Sequence, residues 1–169
     1  MDKAIFRAAE ALDMAIQIEQ QGIAFYKAGM EMIDSADLKA VFSFLIHQEH
    51  IHRDVFSKMK ADLSELRLPE SYSGEYERYM TTFVKEKVFF SPEQAAEKVR
   101  SLGNAGAAVD WAVTFEQRSI AFYRLIKDHV RASESAAIER IISEERHHIE
   151  RLHDLRQKID NKPFDPTTA

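Results

Sequence analysis

Apolar residues recur along this chain at alternating steps of three and four, the period of a helix that buries one face. Between 36 and 62 the stripe runs Leu38, Phe42, Leu45, Glu49, His52, Phe56 and Met59. Between 134 and 160 it runs Ile138, Ile141, Glu145, His148, Leu152, Leu155 and Ile159. Two more stripes run Leu12, Ala15, Glu19, Gly22, Tyr26 within 4–33 and Val109, Ala112, Glu116, Ser119, Tyr123 within 105–131. The pattern predicts four long helices over 4–33, 36–62, 105–131 and 134–160. Asp34, Ser35 and Asp37 are capping candidates at the first break, and Ser133 before the last helix. Residues 63–104 connect the two pairs and include Pro69, Gly74 and an aromatic stretch from Tyr76 to Phe90. Within them, Ser91-Pro92-Glu93-Gln94 has the N-cap, first-turn proline and capping-box glutamine of a helix start. A short helix is predicted there, ending near Gly103. The prolines of the tail, Pro163 and Pro166, end regular structure.

The helices come in two related pairs. ALDMAIQIEQQGIAFYK at 11–27 and AVDWAVTFEQRSIAFYR at 108–124 match at nine of 17 positions, Glu19 falling on Glu116 and Tyr26 on Tyr123. Downstream, Gln48-Glu49-His50-Ile51-His52 falls on Glu144-Glu145-Arg146-His147-His148. The expected architecture is all-α, a single-domain four-helix bundle made of two repeated hairpins joined by a long crossover.

Six ionisable side chains interrupt the inward stripes: Glu19, Glu49, His52, Glu116, Glu145 and His148. Burying an isolated carboxylate costs on the order of several kcal/mol. Four of them would consume most of a domain's stability of ~5–15 kcal/mol. No lysine or arginine stands on the stripes to neutralise them. Two divalent cations would balance four glutamates. Glu and His three apart lie on one helix face, close enough to grip a metal. Oxygen and imidazole donors suit iron or manganese. Glu144 with His147 is an alternative pair, rejected because only Glu145 and His148 continue the stripe. His47, His50, His129 and His153 are expected to be solvated. Tyr26 and Tyr123 read either as core aromatics or as groups serving the cluster.

Composition narrows the rest. With no cysteine, disulfides, thiol catalysis, cysteine zinc sites and iron–sulfur clusters are excluded for these residues. A net charge of −5 provides no basic footprint for nucleic acid. No apolar run reaches the ~18 residues of a membrane span, and the N-terminus lacks the apolar core of a signal peptide. A cytoplasmic location is the expectation.

One Glu on each of two helices and a Glu-x-x-His on each of the others resembles the ferritin-like di-iron carboxylate proteins, and among them the rubrerythrin-like family. The resemblance covers all four helices. It implies two iron ions, with manganese or a mixed pair as alternatives, Glu49 and Glu145 bridging, Glu19 and Glu116 terminal, and His52 and His148 each on one metal. It implies that Tyr26 and Tyr123 hydrogen-bond ligands. Full-length rubrerythrin adds a cysteine-ligated rubredoxin module, which a chain without cysteine lacks. The family's further glutamate, three residues after Glu116 and implicated in a redox-linked iron shift, is here Ser119. The implied function is reduction of hydrogen peroxide or dioxygen with electrons from an external donor protein, in a homodimer. The alternative is a ferroxidase or iron-storage protein of ferritin type, although the sequence leaves little room after 160 for a fifth helix. A non-catalytic bundle with structural metal is the third reading.

Overall fold

A computed structural model describes residues 2–64, 94–127, 130 and 132–161. Among them are five helices: α1 (Asp2–Met32), α2 (Ala36–Ser64), α3 (Ala95–Leu102), α4 (Ala105–Lys127) and α5 (Ala132–Asp160). α1 packs chiefly on α2 and α4 chiefly on α5, and the two hairpins meet along α1 with α4 and α2 with α5. The neighbours around the bundle are therefore α1, α2, α5 and α4.

Cross-bundle contacts fix the directions. Tyr26 meets Glu116 while Tyr123 meets Glu19, so α1 and α4 are antiparallel. His52 meets Glu144 while Phe44 meets His148, so α2 and α5 are antiparallel as well. α2 and α4 consequently point the same way. The end of α2 and the start of α4 therefore lie at opposite ends of the bundle, about 40 Å apart for a helix of 29 residues at 1.5 Å each. Pro69, Gly74, the aromatic stretch and the Ser91-Pro92 start lie outside the described residues. α3, just before α4 in the chain, packs mainly on α1, with Ala95 and Val99 buried.

Short polar devices set the helix ends. Ser35 Oγ accepts the Leu38 N–H at 3.3 Å, so Ser35 caps α2, and Asp34 instead pairs with Lys39 at 3.0 Å. Gln94, at φ −80° and ψ −10°, leads into α3 with helical backbone angles. Gly103, at φ 75°, closes α3 in the left-handed region that favours glycine. Asn104 Oδ1 then accepts the Ala107 N–H at 2.9 Å and starts α4. Two expectations need correction. α4 ends at Lys127, not 131, and α5 begins at Ala132, so Ser133 lies in its first turn instead of before it.

The core splits into two apolar clusters. One gathers Leu12, Ile18, Phe56, Tyr123, Ile138 and Ile142. The other gathers Phe25, Tyr26, Phe42, Leu45, Ala112 and Leu152. On every long helix the ionisable stripe positions fall between the two. Full burial of each large apolar side chain contributes about 1.5–3 kcal/mol, which offsets the cost of a polar layer between them. No helix of the described residues is long and apolar enough to cross a membrane.

Candidate metal centre

All six ionisable stripe residues converge mid-bundle and are at most 1% exposed. Their donor atoms form two overlapping groups. Glu19, Glu49, His52 and Glu145 each offer an atom within 4.8 Å of the others, and so do Glu49, Glu116, Glu145 and His148. Glu49 and Glu145 belong to both. Each histidine turns Nδ1 inward: His52 Nδ1 lies 3.2 Å from Glu145, 3.6 Å from Glu49 and 3.9 Å from Glu19. His148 Nδ1 lies 2.7 Å from Glu145 and 3.8 Å from Glu116. The two imidazoles stack at 5.6 Å.

The cluster carries its charge unevenly. Burial, then the Glu49 carboxylate, pushes Glu19 well above the ordinary carboxylate range. Burial, then Glu145 and Glu49, does the same to Glu116. Glu145 runs the other way. Burial would raise it, but it sits between both imidazoles, which hold it well below the usual range. Burial works to lower both histidines, yet the facing carboxylates win. Glu145 and Glu49 carry His52 well above its ordinary value, and Glu116 and Glu145 carry His148 to about 10. The four glutamates are therefore unequal, Glu19 and Glu116 favouring their protonated forms and Glu145 its charged form. Without a cation, burial favours a proton on Glu19 and on Glu116, and the facing carboxylates favour protonated imidazoles.

The donor set fits metal. Among the described residues, seven buried side-chain atoms lack a hydrogen-bond partner, and six belong to this cluster: Glu49 Oε1, His52 Nδ1, Glu116 Oε2, both oxygens of Glu145, and His148 Nδ1. Buried polar atoms are nearly always partnered. Six orphans aimed at one place form a cradle for cations, of the oxygen and imidazole type that iron and manganese take.

The surrounding residues hold this layer. Tyr26 donates its hydroxyl to Glu116 Oε1 and Tyr123 donates to Glu19 Oε1. Both phenols are fully buried, and each serves the glutamate of the other hairpin. At Gly22 a Cβ would stand 3.1 Å from the Phe115 ring, so glycine gives that ring room against α1, while the Glu49 carboxyl at 3.5 Å would be in ordinary contact. Ser119, its counterpart in the repeat, is buried with its hydroxyl donated to the Phe115 carbonyl at 3.1 Å. Sequence reasoning named Glu144 only in a rejected pair with His147 and missed its contact with His52. Its carboxylate, 49% exposed, meets His52 Nε2 at 2.8 Å. Its place on an outer helix face carries no periodic signal, although the repeat marked it by setting it against Gln48. Of the histidines expected in solvent, His47 and His153 are exposed, His50 is half-buried, and His129 lies outside the described residues.

The family model described as Rubrerythrin matches residues 10–156. The chain belongs to the rubrerythrin family. Its bundle is similar to a chain described as a ferritin-like diiron-carboxylate protein from Thermotoga maritima, with a TM-score of 0.65 and 22% identity over 93% of this chain and 95% of that one. It is also similar to ferritin-like, diiron-carboxylate proteins from Bacillus anthracis str. Ames, with a TM-score of 0.64 and 15% identity over 92% of this chain and 99% of that one. At those identities the likeness establishes the fold of this rubrerythrin-family chain as ferritin-like. Comparison with curated protein sequences found no match.

Proposed function

We propose that this rubrerythrin-family chain holds two iron ions and reduces hydrogen peroxide or dioxygen with electrons from an external donor protein. The carrying observation is the pair of overlapping buried donor groups. Glu19, Glu49, His52 and Glu145 would hold one ion, Glu49, Glu116, Glu145 and His148 the other, with Glu49 and Glu145 common to both. Bound iron would supply the redox chemistry, two electrons per pair, which no side chain of this cluster can provide. The chain's own residues do the rest. Four glutamates balance two divalent charges. The apolar clusters on either side keep bulk water from the layer. Tyr26 and Tyr123 hold the Glu116 and Glu19 carboxylates in place through their hydroxyl protons.

Metal analysis of the isolated protein, then anaerobic reduction and stopped-flow mixing with peroxide and with dioxygen, tests this reading. About two irons per chain and rapid reoxidation, with the ferrous state restored by a reductant, are expected. Absence of metal overturns it. So does turnover of added ferrous iron with retained ferric product, the behaviour of a ferroxidase.

A further inference from the structure

The bundle's two halves repeat, and most of the site obeys that repeat: Glu19 answers to Glu116, Glu49 to Glu145, His52 to His148, and the tyrosine contacts are reciprocal. Behind the histidines the symmetry breaks. His52 Nε2 lies 2.8 Å from the Glu144 carboxylate. The repeat places Gln48 where Glu144 stands, and among the described residues His148 has carboxylate neighbours only on its Nδ1 side. Among the described residues, one imidazole is thus backed by an anion and the other is not.

We infer that Glu144 is a positioning residue that makes the two metal positions unequal, the one at Glu19, Glu49, His52 and Glu145 binding a divalent cation more tightly and filling first. This rests on the proposed metal site. A neutral imidazole carries one N–H. His52 Nδ1 is buried, faces three carboxylates and has no hydrogen-bond partner. Nε2 faces an acceptor. The arrangement that satisfies both puts the proton on Nε2, donated to Glu144, and leaves the Nδ1 lone pair aimed at the cation. A carboxylate behind a ligating histidine fixes ring and tautomer and makes the nitrogen a better donor, and losing such a partner typically lowers metal affinity about 10–100-fold. His148 has no such carboxylate among the described residues, so its position lacks this increment.

The test titrates the metal-free full chain with Co(II), followed by its visible absorbance and by competition with a chelator, in the parent, Glu144→Gln and Gln48→Glu. The parent should fill in two separated steps. Glu144→Gln should weaken the tighter step about 10–100-fold and leave the weaker one in place, while Gln48→Glu should tighten the weaker step. A role for Glu144 in packing alone would not produce the gain in Gln48→Glu. Melts of the metal-free variants check that both remain folded. Two ions bound with equal affinity by the parent, or a Glu144→Gln titration superimposable on the parent's, overturns the inference. A parent that binds no metal overturns the proposed function as well, so the two failures are distinguishable.

Discussion

Tyr26 and Tyr123 show how much a single hydroxyl does in this core. Each phenol is fully buried and each finds its partner on the opposite hairpin. The same two bonds therefore hold the carboxylates and tie α1 to α4. Removing one donor leaves a buried acceptor unmet, at a cost of about 1–3 kcal/mol. Tyr26→Phe should lower the melting temperature of the metal-free protein and weaken divalent-metal binding about tenfold or more, as read by calorimetry and chelator competition. Tyr123→Phe should act alike through Glu19. An unchanged affinity in both would mean that the hydroxyls do not position the ligands. That these tyrosines lie inward was legible from their seven-residue offset from Glu19 and Glu116. Their crossed pairing was not, because it depends on the antiparallel run of α1 and α4, which no single-helix pattern contains. Glu144 was hidden for the same reason. Its partner stands on another helix, and on its own helix it is an ordinary outer-face glutamate.

Within the first hairpin, α1 and α2 approach closely at Gly29. A Cβ there would stand 2.5 Å from Phe42 Cε2 and 2.9 Å from Cδ2. The Phe42 ring cannot swing away freely. It is fully buried, with Tyr26 at 4.9 Å and Phe25 at 6.1 Å between ring centroids. Alanine is intrinsically better than glycine in a helix by about 1 kcal/mol, but overpacking a filled core costs about 1–3 kcal/mol. Gly29→Ala should therefore destabilise the protein by about 0–2 kcal/mol, and adding Phe42→Leu should recover part of the loss in a denaturant titration. A Gly29→Ala variant more stable than its parent would show that the hairpin yields at this point. The stripes announced both hairpins, since a period near 3.6 marks a buried face whatever the neighbouring helix. Boundaries were harder to read. Ser35 caps α2 as its type suggests, whereas Ser133 falls inside α5 because α5 opens at Ala132, well before Ile138, the first inward residue of its stripe.

For the whole bundle, the polar layer couples folding to protons and metal. Folding raises His148 from 6.5 to about 10, and raises His52 likewise, so both contribute stability that is complete below 6.5 and is lost as pH rises through the folded values. Glu19 and Glu116 are also raised, so their contribution is complete below 4.5 and likewise fades upward. Glu145 is lowered and acts in the opposite sense, stabilising above 4.5 and losing that effect as pH falls. The metal-free protein should thus be most stable near pH 5–6 and lose stability progressively from about 6.5 to about 10, by on the order of a few kcal/mol. Divalent cations replace those protons and bind only the folded chain, so the loaded protein should hold its melting temperature through that window. Loading near pH 7 should release protons from His52 and His148, both raised above 7, and the upward shifts of Glu19 and Glu116 act in the same direction. Scanning calorimetry with and without chelator measures the first effect, and metal-binding calorimetry in buffers of different ionisation enthalpy measures the second. A chelated protein melting higher near pH 9 than near pH 6 would contradict the assigned signs. Release of no protons would mean that the layer is already deprotonated, with its glutamates neutralised by something other than the protons assigned to them.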